Sequence, residues 1–369
     1  MRAVILVGGY GTRLRPLTLT TPKPLVPFCN KSITLRQLEA LRDVGVTQVV
    51  LAVAYRSEVM AEVTQKWARE LGISVVCSLE VEPLGTAGPL ALAREYLLQD
   101  DKPFFVFNAD VICTFPLQKL LDFHLSHGRE GTIAVTKVKD WRKYGVVVHD
   151  EVTGAIKQFV EKPPEFVGDR INAGIYIFNK SILNRIKLEK TSIERQVFPM
   201  MASDSQLSAF HLEGFWMDIG VPKDYIEGMG KYLDSLAGTS TEVGFSCDER
   251  RVSDRSYVLK GCVMIHPTAK IGEGSVIGPH VSIGPGCVIG PCCRIQRTAI
   301  LDNSTVGRGT LIESSIVGWN GRIGSWCRIV NDTVLGEDVR VDDGKYLNGV
   351  KVLPNKEITQ NHPEPEVVM

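Results

Sequence analysis

Two fixed cations stand just past a glycine-rich turn near the start of the chain, in residues 6–25, LVGGYGTRLRPLTLTTPKPL. The apolar run from Ala3 to Val7 ends at Gly8, Gly9 and Gly11, where backbone N–H groups can approach an anion with no Cβ in the way. Arg13 and Lys23 follow, the first a planar fork of donors and the second a compact point charge. Such a set suits the phosphates of a nucleoside triphosphate, which need both backbone donors and full positive charge. Neither common phosphate motif fits. Leu14 stands where a dinucleotide fold would carry its third glycine, and no GK[ST] follows the second glycine.

Elements able to hold this turn are legible on either side of it. Up to about residue 230, short β-branched runs alternate with helical ones. VVLAVA at 49–54, ISVVCS at 73–78 and FFVFN at 104–108 read as strands. Ile33 to Val44 reads as a helix with Leu35, Leu38, Leu41 and Val44 on one face and Gly45 as C-cap. Ser57 can cap a second helix, stopped at Gly72, and GTAGPLALAREYLL reads as a third with a glycine-rich entry. This βαβα order implies an α/β, Rossmann-like domain: a mainly parallel sheet with helices on both faces. Ligands bind beyond the carboxyl ends of such strands, where Gly8, Arg13 and Asp110 fall.

Past residue 262 the period changes to six. Aliphatic residues recur at Ile265, Ile271, Ile277, Ile283, Ile289, Ile295 and Leu301, with glycine next at 272, 278, 284 and 290. A small residue precedes most of them by two: Ala269, Ser275, Cys287, Cys293 and Ala299. The repeat slips near Gly307 and resumes at Val317, Ile323, Ile329, Leu335 and Val341, with Cys327 in the small slot. Helices and hairpins do not keep this spacing. It is similar to the left-handed parallel β-helix of hexapeptide repeats, whose coils bury their aliphatic corners against their neighbours. Residues 1–230 are thus expected to form one domain, 262–369 the β-helix and tail, and 231–261 a polar connector.

Composition excludes several other classes. The 42 basic and 42 acidic residues balance and are dispersed, so neither nucleic acid nor a membrane surface is an expected partner. No run is long enough for a signal peptide or a membrane span, which leads to the expectation of a soluble, cytoplasmic protein. Nine cysteines, an odd number, are expected to be reduced thiols. The seven histidines form no ligand-spaced cluster with them, so no structural zinc is expected.

The motif GGYGTRLRPLT with PKPL resembles the signature of the sugar-phosphate nucleotidyltransferases, which join a nucleoside triphosphate to a sugar 1-phosphate. Nucleotide contacts are then implied for Leu6, Gly8, Gly9, Gly11, Thr12, Arg13 and Lys23. EPLGTAGPL at 82–90 resembles the segment against the nucleobase and implicates Gly85 and Thr86. KYGVVV, FVEKP and NAGIY resemble the sugar-phosphate site, implying Gly145, Glu161 and Asn172 near hydroxyls, with Asn108, and Lys162 on the phosphate. NAD, following the strand FFVFN, and WMDIG resemble the two metal-binding segments, which assigns Mg²⁺ to Asp110 and Asp218. Two carboxylates suffice for a cation that prefers to share its shell with substrate phosphates.

The reaction so implied needs no general base. The attacking sugar phosphate has a second pKa near 6 and arrives ionised. Charge repulsion is the obstacle, so the catalytic groups are cations that neutralise and align, namely Arg13, Lys23 and Lys162. FWMDIG followed by PKDY, EPLGTAGPL and the β-helix most resemble the GDP-mannose-forming members, implying GTP and mannose 1-phosphate as substrates and a homo-oligomer, with a regulatory homologue as a further partner. Ser32, Ala109 and Thr114 depart from the usual pattern of proline, serine and aspartate. Two alternatives stay open, UTP, dTTP or ATP with glucose 1-phosphate and a non-catalytic homologue, while a third, an acyltransferase in the β-helix, lacks support. The last would need more than His266 and His280, which read as loop histidines inside repeats.

Overall fold

The computed structural model describes residues 1–9, 11–53, 57–238, 242–247 and 256–369, with only the backbone of Ser57 and Glu58. The end of VVLAVA and the capping side chain of Ser57 therefore lie outside the described residues, as does part of the 231–261 connector. Two compact units emerge: Met1–Tyr10 with Thr34–Trp216, and Gly11–Ile33 with Met217–Met369. They cut the chain elsewhere than the change of period does.

The first unit is built on a nine-stranded sheet. Its strands are β1 (Arg2–Leu6), β2 (Gln48–Val53), β3 (Ser74–Leu79), β4 (Phe104–Asn108), β5 (Gly131–Lys137), β6 (Gly145–His149), β7 (Ile156–Glu161), β8 (Arg170–Phe178) and β9 (Leu207–His211). The order is β7-β6-β8-β4-β1-β2-β3, with β5 pairing β8 and β9. The β4-β1-β2-β3 half is parallel; β4, β1 and β2 are near-continuous apolar runs buried on both faces, while β3 is a partly exposed edge strand. Antiparallel pairings then add β8, β6 and β7. Tyr176, Phe178 and Phe198 stack in the core below this sheet.

Helices α1 (Ile33–Asp43) and α2 (Ser57–Leu71) form where the apolar spacing places them, and Gly45 and Gly72 follow with positive φ. GTAGPLALAREYLL does not form one helix. It breaks into α3 (Gly88–Leu92) and α4 (Arg94–Leu97) at Ala93, whose backbone leaves the helical region at ψ 3°.

The second unit joins the segment Gly11–Ile33 to a helix, Pro222–Ser235, and to the coil stack. Phe28 is fully buried between Tyr225 and Tyr232, with ring centroids 5.3 and 5.7 Å away, and Tyr225 donates its hydroxyl to the Pro27 carbonyl. Asn30 reaches the first coils, donating to Ile283 O at 3.0 Å and accepting from Ser282 Oγ at 3.3 Å.

Three sheets make the faces of the stack, parallel as expected of a left-handed parallel β-helix except where the strand Phe245–Cys247 joins one edge antiparallel. Ile277, Ile283, Ile289, Ile295, Val317, Ile323, Ile329, Leu335 and Val341 are all buried. The slip, however, lies earlier than Gly307. Ile283 pairs with Ile300, not Leu301, and Ile289 with Val306, because the chain drops one residue around Arg297, which turns with φ 46°. Leu301 is also buried, which is why counting aliphatics places the slip late.

One cysteine pair corrects the expectation of nine free thiols. Cys247 and Cys262 face each other across the antiparallel strands Phe245–Cys247 and Cys262–Ile265 and form a disulfide. Seven thiols are free. An odd count carries no information about a cross-strand pair.

Candidate active site

Parallel pairing sets Leu6 beside Asn108 at the carboxyl edge of the sheet. Gly8 and Gly9 turn there, with Gly9 N–H on the Val7 carbonyl at 2.8 Å. A Cβ on Gly8 would lie 3.0 Å from Glu80 Oε1, so glycine lets the turn pass over a buried carboxyl that burial shifts upward from its ordinary pKa. Asp110 occupies the turn after β4, and Gln37 fixes that turn by donating to the carbonyls of Asn108 at 2.9 Å and Val111 at 3.1 Å.

The polar residues expected around a sugar form one network in this unit. Asn172 donates to the Tyr176 hydroxyl at 2.8 Å and accepts from Gly174 N–H at 2.9 Å. Gly174 has φ 71°, and a Cβ there would meet Asn108 Nδ2 at 2.7 Å. The Tyr176 phenol is fully buried, and burial holds its pKa well above the ordinary value, with Glu194 adding to the shift. Gly145 pairs with Glu161 across β6 and β7, and its missing Cβ leaves room for Glu161 Oε2, 2.8 Å from that position. Burial first, and Glu194 second, raise the Glu161 pKa. Lys162 Nζ stands 3.6 Å from Glu161, with an exposed side chain and a left-handed backbone at φ 48° that few non-glycine residues adopt.

Gly85 and Thr86 are clamped against the segment before α5 (Phe198–Ser203). Gly85 has φ 75°, and a Cβ there would sit 2.4 Å from the Thr191 carbonyl. That carbonyl accepts from both Thr86 and Ala87 N–H. Thr86 Oγ1 donates to Glu194 Oε2 at 2.6 Å, so Glu194 links the two predicted subsites. Glu80, Glu194 and Tyr176 are not among the residues predicted from sequence. Tyr176 stands inside NAGIY and could have been found there, whereas nothing in the sequence marks Glu80 or Glu194, and only the fold brings them to the predicted residues.

The second unit assembles the remaining residues. Gly11 is left-handed at φ 62°, its carbonyl accepts from Thr18 Oγ1 at 2.7 Å, and a Cβ there would touch Lys23 Cβ at 3.0 Å. Thr12–Leu14 makes one 3₁₀ turn that carries Arg13. A Cβ on Gly220 would lie 2.9 Å from both Arg13 Nη2 and Asp218 Oδ1, so Gly220 is what lets guanidinium and carboxylate share this spot. His280 belongs elsewhere in the unit: its ring packs on Gly230 and bonds Asp234 Oδ1 at 2.8 Å. His266 bonds Thr268 Oγ1. Of the departures, Thr114 donates to the Glu213 carbonyl at 3.1 Å, and Ser32 and Ala109 are buried. A cavity of about 410 Å³ between Ala40 and Lys119 contains none of the predicted site residues.

In the first unit a glycine turn and a polar side-chain network lie at the carboxyl edge of a parallel α/β sheet, the edge at which folds of this class bind their ligands. Residues 2–235 match the nucleotidyl transferase family, and residues 259–368 match the GMPPB C-terminal domain. The "Probable mannose-1-phosphate guanylyltransferase 2" of Oryza sativa subsp. japonica is 54% identical over 100% of both chains. The "Mannose-1-phosphate guanylyltransferase catalytic subunit beta" of Drosophila melanogaster is also 54% identical, over 100% of this chain and 97% of its own. The structure of HddC from Yersinia pseudotuberculosis complexed with GMP-PN superposes with a TM-score of 0.51 at 30% identity, covering 63% of this chain and 99% of that one. The chain belongs to the nucleotidyl transferase family, in the branch whose members are named mannose-1-phosphate guanylyltransferases.

Proposed function

We propose that this protein joins GTP to mannose 1-phosphate, giving GDP-mannose and pyrophosphate. The observation that carries the reading is identity of 54% along the whole chain to proteins named for that reaction. The HddC complex with GMP-PN supports a guanine nucleotide. A phosphate oxygen of the sugar attacks the α-phosphorus of GTP, that P–O bond forms, the α–β bridging bond breaks, and pyrophosphate carries away the electron pair. Arg13 and Lys23 hold the triphosphate and neutralise charge on the departing pyrophosphate. Leu6, Gly8, Gly9, Gly11 and Thr12 shape the turn around it, and Gly85 and Thr86 contact the base. Lys162 orients the attacking phosphate while Asn108, Gly145, Glu161 and Asn172 hold sugar hydroxyls. Glu161 suits this role, since its carboxyl oxygens reach the space left open at Gly145 and can accept from hydroxyls.

Asp110 and Asp218 would hold Mg²⁺. The donor set fits a hard cation, being carboxylate without thiol or imidazole, and Gly220 keeps a Cβ out of the space beside Asp218. When bound, the ion supplies charge neutralisation between colliding phosphates. A matrix of nucleotides and sugar phosphates assayed for pyrophosphate release decides the substrate pair: GTP with mannose 1-phosphate gives the highest kcat/KM, and preference for another pair overturns the reading.

We further infer a catalytic domain over 1–230, a connector over 231–261 and a scaffold over 262–369 that promotes a homo-oligomer and receives a regulatory homologue. Support comes from the open ends of a coil stack, which present unpaired strand edges. A monomer in light scattering would remove the assembly. The expected location is the cytoplasm; among the described residues no helix is long and apolar enough to cross a membrane.

A further inference from the structure

Three side chains outside the residues used above converge in the first unit. His149 ends β6, Glu151 follows two residues later, and His211 ends β9. The two imidazole Nε2 atoms are 2.7 Å apart, and Glu151 Oε2 is 3.9 Å from each. A triangle with those sides has a centre about 2.1 Å from all three corners, which is the bond length of zinc to imidazole nitrogen and carboxylate oxygen. Parting the imidazoles and drawing Glu151 in, so that all three separations approach the roughly 3.3 Å between ligands of a tetrahedral zinc, puts the ion out of the ligand plane and leaves a fourth position to water.

The scaffold holds the donors in place before any ion arrives. Asp150, between His149 and Glu151, accepts from the N–H groups of Val152 and Thr153, from Thr153 Oγ1 and from Lys157 Nζ, which fixes the turn. That turn is tied to β9: Ala155 bridges Ser208, and Ala209 N–H donates to the Gly154 carbonyl at 2.8 Å. The side chain of His149 is only 3% exposed, whereas those of His211 and Glu151 are 38% and 72% exposed, so the cluster is anchored on one side and open to solvent on the other.

We propose that His149, Glu151 and His211 form a binding site for a divalent transition metal of the zinc class, clipping the β6–β7 hairpin to β9. The site differs in kind from the carboxylate pair assigned to Mg²⁺: two imidazoles and one carboxylate favour zinc over hard cations. Sequence hints at it only through the HxE spacing at 149–151, since His211 is remote.

Calorimetric titration of the intact chain with Zn²⁺, in millimolar Mg²⁺, tests the site. The expected result is one zinc per chain that His211→Gln abolishes and Glu151→Gln weakens at least tenfold, together with a zinc-dependent rise of the thermal midpoint that both variants lose. Failure of the wild-type chain to bind zinc overturns the proposal, as does equal zinc stoichiometry and affinity in wild type and variants. Should His211→Gln not fold, Glu151→Gln carries the test, because its side chain faces solvent and its loss removes no packing.

Discussion

Glycine does opposite work in the two kinds of architecture here. At three glycines near the predicted site residues, the space where a Cβ would stand is reached by polar side chains: Glu161 Oε2 at Gly145, alongside Phe159 Cζ, Asn108 Nδ2 at Gly174, and, in the second unit, Arg13 with Asp218 at Gly220. At three glycines of the coil stack it is taken by backbone of the next coil: a Cβ on Gly272 would fall 2.5 Å from the Gly290 carbonyl carbon, one on Gly290 2.8 Å from Arg308 N, and one on Gly307 2.5 Å from Ser325 N. The first pattern leaves functional side chains room to reach a ligand. The second lets strands stack at their closest approach. Equal-looking residues thus separate chemistry from architecture, and the separation can be attacked by mutation.

The largest effect should come from the carboxylates. Asp110→Asn or Asp218→Asn is expected to lower kcat by roughly two orders of magnitude or more, with an unchanged thermal midpoint, as loss of a metal-held charge clamp requires. Turnover like wild type at limiting Mg²⁺ would take that aspartate out of the chemistry. An intermediate effect is expected at Lys162. Lys162→Ala should raise KM for mannose 1-phosphate about tenfold or more and leave KM for GTP nearly unchanged, because only one substrate loses its partner. Equal changes in both would make Lys162 a structural residue and blur the comparison. The smallest effect on chemistry belongs to the stack: Gly290→Ala should cost about 1–3 kcal/mol of stability through overpacking, read by chemical denaturation, with both KM values unaltered. A stable variant with impaired catalysis would show that the repeat contributes to the site.

Legibility from sequence followed the range of the signal. Strands such as FFVFN and helix α1 are local patterns of apolar spacing and could be read directly. The break at Ala93 could not, since every residue of ALAREYLL favours helix and the turn is imposed by packing. Asp110 and Gly145 lie inside recognisable segments, so their placement at strand ends was predictable. Glu194 reaches Thr86 across 108 residues of chain, and that meeting is a tertiary fact. The attachment of Gly11–Ile33 to the coil stack is similarly hidden: it includes the Asn30 amide among polar residues that look like any loop. One consequence bears on truncation, because removing the stack also removes the partners of Asn30 from the segment carrying Arg13 and Lys23.

Inside the stack, the small slots do more than fill space. Ser275, Ser304 and Thr310 donate to the carbonyls of Gly290, Gly318 and Gly324, and the thiols of Cys287, Cys293 and Cys327 donate likewise to Leu301, Gly307 and Asp342 at 3.1 Å each. Burial pushes the Cys287 thiol up to about 11, so almost none of it is thiolate at neutral pH. Cys292 is exposed immediately beside buried Cys293. Within the stack, alkylating reagents therefore meet two populations: one sulfur open to them at any moment, and interior sulfurs whose rate of modification is set by how often a coil parts. The stack carries its own clock for breathing, with its zero point built in at the neighbouring residue.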